Sequence, residues 1–171
     1  MPEPDAPPRR PSEGRSPSSH RPARVASVRN ATPADAIVVA GLRAEALAEL
    51  APLRGGALYS ERNARPLPEA GAADRALWVG LLGEAVVGYL SGRTEELTSG
   101  RRLGVIDALY VHPGCRSVGV AEELMAVAVE WCRSRGCVGI DAIALPGARA
   151  TKNFFEESGF TSRLLVMHHK L

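Results

Sequence analysis

The stretch Val111-His112-Pro113-Gly114-Cys115-Arg116-Ser117-Val118-Gly119-Val120-Ala121 constrains this chain most, because it runs from the end of a strand through a short loop into an amphipathic helix. Before it, Val105 to Val111 is a β-branched and aromatic run that reads as a strand, and Pro113 with Gly114 breaks it. After it, the apolar residues Val120, Leu124, Val127 and Trp131 recur at steps of three and four, the period of a helix. A helix that opens this way points its first amides back at the loop, and Gly119 lets the backbone approach a ligand closely. Those amides and the positive end of the helix dipole favour a phosphate or pyrophosphate. Glycine-bearing strand-to-helix turns also serve as plain connections, so the loop alone leaves anion binding and simple connection both open.

The rest of the chain alternates periods in a way that predicts a mixed α/β (α+β) domain over residues 25–171. Val25 to Arg29 reads as a first strand, and Thr32 before Pro33 supplies an N-cap with proline at the first helical position. Ile37, Ala40, Leu42, Leu47 and Leu50 form the stripe of that helix, which Pro52, Gly55 and Gly56 end. A weaker helical stretch follows, interrupted by Pro66 and Pro68. Ala76 to Leu82 and Val86 to Arg93 flank Gly83-Glu84 as a hairpin, and Leu103 to Val111 is the strand that feeds the loop. Val138 to Leu145 is a further strand, Ala150 to Glu157 a short helix stopped by Gly159, and Leu164 to Lys170 a last strand.

Residues 1–24 are set apart by Pro2, Pro4, Pro7, Pro8, Pro11, Pro17 and Pro22 among Ser, Arg and acidic residues, and are expected to be a disordered tail. The tail lacks the apolar core of a secretory signal, and no stretch approaches the roughly 20 apolar residues of a membrane span. A net charge of +2 over 171 residues is too small to argue for nucleic acid, and no nucleic-acid partner is expected. Cys115, Cys132 and Cys137 are an odd number without a CxxC pair, so reduced thiols in a cytoplasm are expected, with neither a disulfide framework nor a metal site. A nucleotide P-loop would need G-K-[ST] after the loop, and a Rossmann site G-x-G-x-x-G; neither is present.

With these motifs in this order, residues 25–171 resemble the GNAT superfamily of acetyl-CoA-dependent N-acetyltransferases. Arg116-Ser117-Val118-Gly119-Val120-Ala121 matches the family's Q/R-x-x-G-x-G/A pyrophosphate loop, preceded at the family's spacing by Ile106 to Pro113. Asn153-Phe154-Phe155-Glu156-Glu157-Ser158-Gly159-Phe160 is similar to its N-F-Y-E-x-x-G-F segment, and Ser27 to Thr32 to its opening strand. The resemblance implies a mostly antiparallel mixed sheet flanked by helices, with the cofactor in a cleft between the central strands. It implies acetyl transfer from acetyl-CoA to a primary amine of a small molecule or peptide, by direct attack in a ternary complex.

Under that resemblance, the amides of Ser117, Val118, Gly119, Val120 and Ala121 hold the pyrophosphate and Arg116 lies near the phosphates. Main-chain groups of Leu109 and Val111 pair with pantetheine, the Val111 N–H faces the thioester carbonyl, and Asn153 and the short helix with Phe155 line the other side. Asp107 is the candidate base: it lies four residues before Val111, on the same strand face by the two-residue period, with Tyr110 on the opposite face. Phe155 stands where the family often places a tyrosine acid, so the departing thiolate is protonated by water or another residue, with Tyr59, Tyr89 and Tyr110 as substitutes in principle. Phe154 reads as core packing.

Several residues carry two readings. Cys115 is a loop thiol near a helix start and reads as a plain loop residue, Trp131 as core, and His168-His169 alternate across a strand and cannot chelate one metal together. Glu45, Glu49 and Glu61 can attract a cationic amine or simply face solvent. The alternative function, which Phe155 permits, is a catalytically weak acyl-CoA-binding sensor or scaffold. Exposed strands leave room for a homodimer.

Overall fold

The computed structural model describes residues 26–63, 74–169 and 171. The segment expected to be a tail, residues 1–24, together with Val25, Pro66, Pro68 and Lys170, lies outside the described residues.

Among the described residues, five strands form one sheet in sequence order: β1 (Ala26–Asn30), β2 (Arg75–Leu82), β3 (Ala85–Glu96), β4 (Arg102–Val111) and β5 (Cys137–Ala142). The first four pair antiparallel and β5 joins β4 in parallel. Parallel neighbours need a crossover, and α3 (Val120–Ser134) supplies it. α1 (Ala36–Leu50) and α2 (Gly56–Asn63) fall between β1 and β2, and α4 (Arg149–Glu157) follows β5. This is the mixed, mostly antiparallel architecture expected from the sequence.

Each face of the sheet is covered by one long helix. On the first face Val120, Leu124, Met125 and Ala128 of α3 pack on Trp78, Leu90, Ile106 and Val111, and Phe155 of α4 closes the cluster. On the second face Val39, Leu42 and Ala46 of α1 pack on Val79, Tyr89 and Tyr110. Full burial of each large apolar side chain contributes about 1.5–3 kcal/mol, so these two layers fix the helices on the sheet. Gly80 brings β2 very close to the start of α3: a Cβ there would sit 2.5 Å from Val120 Cγ1.

Three details differ from the sequence reading. The buried stripe of α1 is Val39, Leu42 and Ala46, at steps of three and four, while Ile37 is exposed; Ile37 sits in the first turn, rotated away from the sheet. β5 ends at Ala142 rather than Leu145, because its pairing with β4 stops at Ile106↔Ala142. No described residue of the expected last strand is in a strand: Leu164, Leu165, Val166 and Met167 are exposed and unpaired in the sheet. Phe155, expected to line the cofactor, is also a buried member of the core, with Phe154 packed against that core as expected, and it lies at an angle between Phe154 and Phe160 with ring centroids 5.9 and 5.3 Å away.

Candidate active site

The end of β4 organises the site. Beyond Ile106 its side toward β5 has no strand partner among the described residues, since β5 pairs only with residues up to Ile106. Antiparallel ladders alternate bonded and non-bonded pairs. His112 N–H donates to Val87 C=O at 2.8 Å, so in the next register pair, Gly88↔Val111, the Val111 N–H points away from β3. Leu109, opposite Leu90, is in the same phase. The Val111 carbonyl, by contrast, accepts from Arg116 Nε at 2.9 Å.

A cavity of about 280 Å³ opens along this unpaired edge. Its walls come from α1 and α2 on one side and the β5–α4 segment on the other, with Asp107, Leu109, Val111, Arg116 and Phe155 among the lining residues. Five of the expected site residues therefore share one space. Asn153 does not join them: it is exposed on α4 and outside the lining.

The loop after β4 turns sharply into α3. Ser117 (φ 63°) and Gly119 (φ 87°) are both in the left-handed region with Val118 between them, and α3 begins at Val120 with no side chain capping it. Alternating left-handed residues turn successive amides into one concavity, and the first turn of a helix leaves its N–H groups free. Ser117, Val118, Gly119, Val120 and Ala121 thus form one continuous run of backbone at the helix start.

Arg116 takes a different direction from these amides. Its guanidinium makes a two-pronged ion pair with Glu49 of α1 (2.9 and 2.6 Å) and lies 5.5 Å from the centre of the Tyr110 ring. That contact holds the Glu49 carboxyl below the usual carboxylate range and raises the Arg116 guanidinium. Glu45 accepts from the Tyr110 hydroxyl at 3.3 Å, whereas Glu61 faces solvent. Glu49 is thus the one of the three that lines the cavity.

Asp107 lies on the other strand face from the one its spacing implies. Ile106 and Val111 both belong to the α3-side core, five positions apart, which strict alternation forbids. The break is a bulge: Ser91 pairs with Ala108 and Gly92 with Ile106, leaving Asp107 as the extra residue. Asp107 forms an ion pair with Arg93 of β3, and Arg93 shares a face with Ser91 and Tyr89 at two-residue steps. Asp107 therefore faces the α1 side together with Tyr110, and Val111 faces the α3 side.

Sequence reasoning missed Ser91 and Arg43 as cavity residues and did not place Tyr59. Tyr59 donates its hydroxyl to the Asp107 carbonyl at 3.2 Å, a contact across 48 positions that no local pattern announces. Burial pushes the phenols of Tyr59, Tyr89 and Tyr110 above the ordinary tyrosine value, so all three stay protonated at neutral pH. Cys132, packed beside Gly104 and Cys137, has its thiol pushed up to about 11 by burial, which favours the protonated form. Cys115, Cys132 and Cys137 are all free. No helix among the described residues is long and apolar enough to cross a membrane.

Solved structures of other proteins share this fold. No curated protein matches the sequence. Among solved structures, a ribosomal-protein-alanine N-acetyltransferase from Brucella melitensis biovar Abortus 2308 is similar at 18% identity and TM-score 0.65, over 86% of this chain and 99% of that one. A Trypanosoma brucei acetyltransferase is similar at 22% identity and TM-score 0.59, over 85% and 99%. AAC(6′)-Iy, in complex with the bisubstrate analog CoA-S-monomethyl-acetylneamine, is similar at 17% identity and TM-score 0.63, over 85% and 97%. At these identities the likeness is one of fold. Residues 44–160, however, match the profile of the Acetyltransferase (GNAT) family, a span that runs from α1 through the β4 edge and the loop to Phe160, and the chain belongs to that family.

Proposed function

We propose that this protein transfers an acetyl group from acetyl-CoA to a primary amine of a small molecule or peptide, by direct attack in a ternary complex. The observation that carries the reading is the continuity of the unpaired β4 edge, with its outward Val111 N–H, and the uncapped start of α3. The donor set fits acetyl-CoA: an extended strand edge suits pantetheine, and a concavity of amides suits a pyrophosphate. Bound there, acetyl-CoA supplies a thioester carbonyl open to a nucleophile.

Each residue then has a task. The amides of Ser117 to Ala121 hold the pyrophosphate, and Leu109 and Val111 offer their outward N–H groups to pantetheine. Because Arg116 is clamped on Glu49 and on the Val111 carbonyl, its side chain sets the shape of the loop and its backbone begins the phosphate site. The Val111 N–H faces the carbonyl oxygen as charge develops there; a preorganised donor of this kind contributes about 3 kcal/mol. Asp107 removes the proton that the attacking amine must lose, and the thiolate takes a proton from water, since Phe155 has none to give. Phe155 and Asn153 flank the cofactor from α4. A cytoplasmic location and a homodimer joined through exposed strand edges belong to the same proposal; sedimentation velocity checks the dimer.

Two of the similar structures named above, a ribosomal-protein-alanine N-acetyltransferase and AAC(6′)-Iy with the bisubstrate analog CoA-S-monomethyl-acetylneamine, support an amine acceptor. Calorimetry with acetyl-CoA and thiol release with a panel of primary amines test the proposal. Expected are saturable binding and amine-dependent thiol release; no binding at millimolar acetyl-CoA overturns it, and binding without release with any amine points to the sensor or scaffold instead. Asp107→Asn is expected to lower kcat/KM about 10²-fold or more and to flatten the rise of rate with pH. Unchanged turnover across pH removes Asp107 as the base.

A further inference from the structure

Among the polar groups that line the cavity and that these roles leave unused, one is a fully buried serine. Ser91, in the middle of β3, is fully buried (0% exposed) and lines the cavity. Its Oγ has no hydrogen-bond partner among the described residues. An unsatisfied buried hydroxyl costs about 1–3 kcal/mol, and native structures rarely carry one without a use for it.

Its position suggests that use. Ser91 stands at the bulge, opposite Ala108 and next to the break that displaces Asp107. It shares the α1-side face with Tyr89 and Arg93, and Arg93 reaches along that face to the Asp107 carboxylate. The hydroxyl and the carboxylate thus belong to one corner of the cavity, on the opposite sheet face from Val111 and Phe155. A primary ammonium brings three N–H donors to such a corner, one for a carboxylate and another for a hydroxyl oxygen.

We infer that Ser91 Oγ accepts a hydrogen bond from the acceptor amine, making Ser91 and Asp107 together the amine-binding corner of the site. The inference rests on the acetyltransferase reading above and adds a specificity-determining residue to it. Ser91 holds the nitrogen while Asp107 takes its first proton; the nitrogen lone pair so freed forms the bond to the acetyl carbon, the sulfur departs with the electrons of the broken C–S bond, the nitrogen releases its second proton to water, and the thiolate takes a proton from water.

The test uses the full chain, acetyl-CoA and whichever primary amine gives the fastest wild-type thiol release. Ser91→Ala is expected to raise the amine KM about tenfold, with the acetyl-CoA dissociation constant unchanged within twofold. Ser91→Cys, similar in size but a poor acceptor, is expected to raise it likewise, which separates the lost hydrogen bond from a lost volume. Without ligand, the melting temperature of Ser91→Ala is expected to equal or exceed that of the wild type, because the hydroxyl has no partner to lose. An unchanged amine KM in both variants overturns the inference, as does a weakened acetyl-CoA affinity or a clear drop in melting temperature. If the wild type itself binds no acetyl-CoA or releases no thiol, the functional reading fails first and this inference with it.

Discussion

Asp35 shows how a single residue locks the entry to α1. It is buried, accepts from Arg29 through two bonds of 2.7 and 2.8 Å, and takes the Thr32 N–H and hydroxyl at 2.7 and 2.8 Å. The Arg29 guanidinium, ahead of the opposing cost of burial, holds the Asp35 carboxyl far below the ordinary aspartate range. A carboxyl lowered in the folded state contributes its stability fully above the unfolded value, about 3.9, and loses it as pH falls through the lower folded value. Asp35→Asn is therefore expected to destabilise by about 2 kcal/mol at pH 7, and the gap between variant and wild type to narrow below about pH 4. Urea unfolding at both pH values checks this. Thr32 with Pro33 was legible as a helix start because capping is local. The partner Arg29 was not, because it arrives from the neighbouring strand.

At the scale of elements, the contact of β2 with α3 sets the phosphate loop. Gly80 has Val120 against it, and Val120 is the first residue of the helix whose start the loop forms. Adding a methyl at Gly80 forces either the strand or the helix start to shift. Gly80→Ala is expected to cost about 1–3 kcal/mol and to weaken acetyl-CoA binding several-fold, measured by thermal unfolding and calorimetry. Gly139→Ala is the control: its added Cβ would meet Leu103 Cδ1 at an ordinary 3.7 Å, and neither quantity is expected to move. The loop itself was legible from Gly119 and the periodicity after it. The need for glycine at position 80 was not, since it arises only where two elements cross.

For the whole molecule, the expected last strand is the instructive failure. Leu164 to Met167 has the composition of a buried strand, yet these four residues are 77–82% exposed. The start of this segment is tied to the sheet by Arg163, which donates to Asp141 at 2.8 Å through Nε, and no ladder follows. A run of apolar residues states a capacity for pairing; it does not supply a neighbour. Leu165→Glu with Met167→Glu is expected to change the unfolding free energy of the chain in dilute solution by less than about 0.5 kcal/mol. Chemical denaturation of the double variant measures it, and a larger loss would show that the segment is packed.

The order of strands and helices as far as α4, the strand-to-helix loop at Arg116 to Ala121 and the family they point to followed from the sequence by itself. Turn residues, helix starts and periodicities are short-range, and each is written in adjacent positions. Tertiary structure decided which way the chemistry faces. One bulge at Asp107 turned a carboxylate from the Val111 face to the α1 face. An ion pair across 67 positions drew Arg116 from the phosphate loop to Glu49, and the packing of β3 under α1 left Ser91 buried with its hydroxyl unpaired. Register, partner and burial are properties of two segments brought together, and no single stretch of sequence contains both.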